Sequence, residues 1–94
     1  MISTHVLDTG RGEPARGVRV QLFGGEELIA EGATDDDGRI RNLAEVESGS
    51  YRLVFHPESP FFARVEVQIR IEAGRHNHVP LLISPYACTI YRGS

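Results

Sequence analysis

The chain has ten arginines, no lysine and four histidines, so imidazole and guanidinium chemistry dominates what it can do near neutral pH. The densest arrangement lies in His76–Ser94, which reads HNHVPLLISPYACTIYRGS. His76 and His78 stand two apart, so on a strand both rings project from one face. Chain ends usually fray. Here the alternation of Val79, Leu81 and Ile83 runs almost to the last residue and then presents Tyr91, Arg92, Gly93 and Ser94. An imidazole can act as general base on water, and a guanidinium can grip an electron-rich substrate through paired N–H groups. His78 and His5 are the candidate bases. Arg39 and Arg92 are the candidates for holding substrate, with Arg41 a lesser one. The plainer reading makes Val79, Leu81 and Ile83 core and lets the tail follow them.

Other chemistries fit less well. His76-x-His78 with His5 as third ligand has the composition of a three-histidine zinc site, but the strand carries no carboxylate to serve as ligand or support. Asp35-Asp36-Asp37-Gly38 invites a calcium loop. With Gly38 as the loop glycine, the first ligand falls on Ala33 and the closing glutamate on Ala44, so both ends fail. The acidic run reads as a solvated turn. Ser94 is a poor activated nucleophile on residue type, because the terminal carboxylate adjoins it and little scaffold fixes it. His56, next to Pro57, reads as a surface residue.

The elements that must position these residues are strands. Ile2–Leu7 alternates, with Ser3, His5 and Leu7 on one face and Ile2, Thr4 and Val6 on the other. Asp8–Gly17 is a Gly/Pro loop, Val18–Phe23 a strand, Gly24-Gly25 a break, and Glu27–Glu31 its hairpin return. Thr34–Arg39 is a turn. Ser50–Phe55, Ala63–Ile71 and His76–Ile83 are further strands, and Thr89–Tyr91 resumes after Pro85. No segment has helical periodicity. Seven or eight short strands between regular turns predict an all-β antiparallel sandwich.

Composition narrows the partners. Ninety-four residues with net charge −3 make a single domain, 1–94, whose small core would gain from association. Positive charge is not clustered, which argues against nucleic acid. The single cysteine, Cys88, allows no internal disulfide and suits a reducing compartment. No stretch is long and apolar enough to span a membrane and none reads as a signal peptide, so the expectation is a cytoplasmic protein, or a periplasmic one if a leader has been removed.

Three stretches carry a resemblance: STHVLDTGRGEPARGVRVQL (Ser3–Leu22), TDDDGR (Thr34–Arg39) and HVPLLISPYACTIYRGS (His78–Ser94). Together they resemble the transthyretin-like family of 5-hydroxyisourate hydrolases over nearly the whole chain, the terminal YRGS being the most specific part. The resemblance implies a transthyretin-like (prealbumin-like) sandwich assembled as a homotetramer, a dimer of dimers. It implies hydrolytic opening of the small molecule 5-hydroxyisourate to 2-oxo-4-hydroxy-4-carboxy-5-ureidoimidazoline in urate degradation, with no metal or organic cofactor. The family's motif histidines fall on His5 and His78 and its D-G-R arginine on Arg39. Its terminal tetrapeptide falls on Tyr91, Arg92, Gly93 and Ser94. The resemblance thus places His5, Arg39, His78 and Ser94 in catalysis and Tyr91, Arg92 and Gly93 in substrate binding. His76 is not carried over.

The chain also departs from the pattern. Tyr51–Phe62 is too short for the family's small helix, the tryptophan usual near the second hairpin is missing, and Ile90 stands where the family tends to have threonine. The alternatives are a non-catalytic transthyretin-type ligand binder or structural sandwich, and a zinc hydrolase.

Overall fold

Alternating apolar residues dictate two sheets, and the computed structural model, which describes residues 1–93, builds both. The strands are β1 (Ile2–Asp8), β2 (Glu13–Pro14), β3 (Arg19–Gly24), β4 (Glu27–Ala33), β5 (Arg39–Ala44), β6 (Gly49–His56), β7 (Val65–Ile71), β8 (Asn77–Ser84) and β9 (Ala87–Ile90). One sheet runs β4-β3-β6-β7; the other runs β2-β1-β8-β9, with β5 also paired to β1. Val20 and Leu22 of β3 and Leu53 and Phe55 of β6 meet Ile2 and Val6 of β1 and Leu81 of β8 in a core from which water is excluded. Facing inner sides of two twisted sheets pack in this way, and most of the stability comes from that burial.

The sandwich and the strand periodicities are as expected, with three corrections. First, the sheets are not wholly antiparallel: β1 pairs β8 in parallel from Ile2↔Asn77 to Asp8↔Ile83. Second, Arg39–Ala44, which is not among the expected strands, forms β5. Its sequence RIRNLA is half polar, it lies at an edge, and a register shift interrupts its pairing with β1, so no clean period-two signal exists. Third, β2 interrupts the Asp8–Gly17 loop with a two-residue pairing to β1. Residues 57–64 contain no helix; Ser59 Oγ instead accepts the backbone N–H of Phe61 and Phe62 and shapes a tight connection.

The turn before β5 places Arg39. Asp35 Oδ1 accepts the N–H of Asp37 and of Arg39 at 2.9 Å each, and the bond to Arg39 foremost holds the Asp35 carboxyl below its usual range. The acidic run is therefore a turn that fixes an arginine. Gly38 closes it with φ +76°, its carbonyl 2.7 Å from the Val6 N–H. A Cβ at Gly38 would run into the Val6 carbonyl and would need a left-handed backbone, which costs about 1–2 kcal/mol in a non-glycine residue. Gly38→Ala should accordingly destabilise the fold by about 2 kcal/mol or more. Denaturant melts check this; an unchanged midpoint would show that the turn is not anchored on β1.

Candidate active site

The outer face of the β1/β8 sheet gathers the residues named from the sequence. The parallel register sets Ser3 beside His78 and His5 beside Pro80, and the β1/β5 pairing sets His5 beside Arg39. Outward positions on adjacent strands have neighbouring side chains, so the imidazoles and the guanidinium share one patch. A shallow cleft of about 170 Å³ is lined by Ser3, Thr4, Arg39, Ile40, Arg41, His76 and His78. Arg39 also borders the depression occupied by His5, and so links the two.

Hydrogen bonds fix the rings. His5 Nε2 lies 2.9 Å from the Asp37 carbonyl, which can only accept, so Nε2 carries the proton and neutral His5 keeps its lone pair on Nδ1. Ser3 Oγ lies 2.8 Å from His78 Nδ1 and 2.7 Å from His76 Nε2. With Nδ1 so engaged, His78 has Nε2 left for chemistry. Burial, then the positive potential of His76, His5 and Arg39, holds His78 below the ordinary imidazole value, so the ring is neutral and able to accept a proton at neutral pH.

The tail closes the site from one side. β9 pairs β8 with Leu81↔Ile90, and in the same register Gly93 bridges His78, its N–H donating to the His78 carbonyl at 2.8 Å. Gly93 is needed for close approach: a Cβ there would sit 2.5 Å from His78 Cδ2 and 3.2 Å from Pro80 Cγ. Tyr91 and Arg92 are exposed. They line a separate groove of about 530 Å³ that also touches His78 and is walled by Val67, Ile69 and Ile90. Ser94 lies outside the described residues.

The structure thus brings His5, Arg39, His78 and Gly93 together, with Tyr91 and Arg92 on the adjoining groove. His56 is at a distance from them, partly buried on β6 and bonded to Gln21 Oε1 at 2.6 Å; desolvation foremost lowers its basicity. The three-histidine zinc arrangement does not assemble. His76 and His78 turn nitrogens toward Ser3, His5 turns Nε2 toward Asp37, and the described residues contain no metal-sized cluster of His, Cys, Asp or Glu. Sequence reasoning overlooked Ser3. Its position two residues before His5, on the same strand face, was the available signal.

A two-sheet prealbumin-type sandwich with imidazoles, a guanidinium and its own C-terminal segment gathered on one outer sheet face defines the architectural class. Within it, the chain belongs to the HIUase/Transthyretin family, whose model matches residues 2–93. It is 37% identical over 112 aligned positions to a probable 5-hydroxyisourate hydrolase of Schizosaccharomyces pombe, covering 99% of this chain and 90% of that one. That alignment is longer than this 94-residue chain, so the relative has residues that this chain lacks. Klebsiella pneumoniae 5-hydroxyisourate hydrolase superposes with a TM-score of 0.87 at 36% identity, covering 99% of this chain and 98% of that one. Sea bream transthyretin in complex with thyroxine also gives 0.87, at 30% identity over 98% and 93% of the two chains.

Proposed function

We propose that the protein is an enzyme that hydrolyses 5-hydroxyisourate to 2-oxo-4-hydroxy-4-carboxy-5-ureidoimidazoline, a step of urate degradation. The observation that carries this reading is the neutral His78, oriented by Ser3, in one cleft with Arg39. The full-length likeness to hydrolases of that name supplies the substrate. Fold alone does not decide, since the thyroxine-bound transthyretin superposes equally well on this chain. A carrier of that type has no use for a base and a guanidinium side by side.

In the proposed reaction, His78 Nε2 takes a proton from water and the oxygen adds to a ring amide carbonyl. Arg39 stabilises the oxyanion that develops. The C–N bond then breaks, the nitrogen takes the proton from His78, and the carbonyl carbon becomes a carboxylate. His5 orients substrate through Nδ1, Tyr91, Arg92 and Gly93 bind it, and Ser94 completes the site. No metal or organic cofactor takes part. The product should show a new carboxylate carbon by carbon-13 NMR when labelled 5-hydroxyisourate is supplied; a product that keeps both rings and gains no carboxylate would refute the reaction.

The proposed working form is a single 1–94 domain in a cytoplasmic homotetramer, a dimer of dimers. Strands β7 and β9 are sheet edges, and between them lies the apolar groove of Val67, Ile69 and Ile90. Open edges with apolar surface favour pairing with another chain. Light scattering should give four subunits, and a stable monomer would contradict this assembly.

A further inference from the structure

Ser3 is only 4% exposed, yet its hydroxyl sits between two imidazole nitrogens, 2.7 Å from His76 Nε2 and 2.8 Å from His78 Nδ1. A hydroxyl has one proton. Its oxygen could accept from both rings, but Ser3 is buried and its hydroxyl has no further partner among the described residues, so its proton is satisfied only when it is donated to one ring while the oxygen accepts from the other. Two arrangements meet that condition, and they link the protonation of the two histidines. If Ser3 donates to His78 Nδ1, the proton of neutral His78 lies on Nε2 and the ring is no base toward the cleft. If Ser3 donates to His76 Nε2, His78 Nδ1–H donates to Ser3 and the Nε2 lone pair faces the cleft.

We propose that Ser3 and His76 are positioning residues that hold His78 in its Nδ1–H form, and that protonation of the exposed His76 reverses the chain and switches the base off. The inference rests on the reading of His78 as the base. A protonated His76 carries hydrogen on both nitrogens, so Nε2–H must donate to Ser3. The Ser3 hydroxyl then turns its proton to His78 Nδ1, and the His78 proton moves to Nε2 by exchange with water, with no net change in that ring's charge. His76 is an exposed residue just ahead of β8, whereas Ser3 and His78 are shielded, so the proton reaches the sheet face from the solvent side.

The groups around His78 agree with a neutral ring held by geometry. His5 faces it from β1, Arg39 and Arg41 from β5, His76 and Arg75 from the segment before β8, and Arg92 from the tail; Arg70 and Glu72 lie across the neighbouring groove. The acids among their neighbours are Glu72, paired with Arg75, and Asp37, 4.0 Å from Arg41. Burial and the positive charge of His76, His5 and Arg39 therefore oppose a charge on the His78 ring.

The test is the tautomer itself. In the full-length protein labelled with nitrogen-15 histidine, ring correlation spectra at neutral pH should place the His78 proton on Nδ1, opposite to the Nε2–H preference of a free histidine side chain. Ser3→Ala should move the proton to Nε2 and lower kcat on the order of tenfold at nearly unchanged KM, less than loss of the base itself. His76→Ala, at an exposed position and so safe for the fold, should also release the Nδ1 preference and reduce the limiting slope of the acid limb of the kcat/KM profile by one. A wild-type proton on Nε2, or a tautomer that neither variant moves, would overturn the proposal while leaving hydrolysis intact. Absent turnover with the Nδ1 proton in place would instead refute the hydrolase reading and leave the Ser3 bridge standing.

Discussion

His78→Ala should cost roughly 10²- to 10⁴-fold in kcat while leaving the fold in place, the range expected when a positioned general base is removed. The size of the effect follows from geometry. His78 is part-buried, its Nδ1 is held by Ser3, its backbone carbonyl anchors the tail, and Arg39 lines the same cleft. The other two histidines are held differently: His5 gives Nε2 to the Asp37 carbonyl and keeps only Nδ1 free, and His76 points its Nε2 at Ser3. Alanine leaves the β1/β8 ladder intact because its bonds are backbone bonds. Steady-state kinetics with a matching far-ultraviolet circular dichroism spectrum is the check. Near-normal turnover would remove His78 from the mechanism and move attention to His5.

Gly93→Ala should have an effect of comparable size from a residue with no side chain. An added Cβ would stand 2.5 Å from His78 Cδ2, a separation that carbon atoms do not tolerate. Pro80 blocks retreat on one side, at 3.2 Å. Either the ring turns away from Ser3 or the tail lifts and loses the Gly93 N–H bond to the His78 carbonyl. A displacement of about 1 Å at a reacting group costs on the order of 10²-fold, so kcat/KM should fall by about that factor. Gly32→Ala on β4 is the control, since its Cβ would meet Ile40 and Leu43 at ordinary distances of 3.5 and 3.6 Å. Equal activity in both variants would show that the tail does not press on His78 in the working enzyme.

The reach of sequence reasoning varied with how local each feature is. Val65, Val67, Ile69 and Ile71 announce β7 because a strand with one buried face must alternate. His76 and His78 share a face through their spacing alone, even though β8 begins only at Asn77. Pairing partners are different. That β8 lies parallel to β1 depends on which distant segments bury each other, and no local period encodes it. Ser3 shows the consequence: by itself it is a polar residue on an outward strand position, and its hydroxyl becomes buried only when β8 brings two imidazoles over it. Asp35 is solvated as its acidic run suggests, but its backbone partners Asp37 and Arg39 emerge only when the turn closes. Family motifs point to His5, Arg39, His78 and the tail as candidates; the contacts their rings make had to be read from the structure.

The most direct test of the account follows the ultraviolet decay of 5-hydroxyisourate, freshly generated by urate oxidase, with and without the purified protein and with and without a chelator. Decay should be much faster than the spontaneous reaction, proportional to protein and unaffected by chelation. Decay at the spontaneous rate, or acceleration abolished by the chelator, would contradict a metal-free hydrolase built on His78 and Arg39.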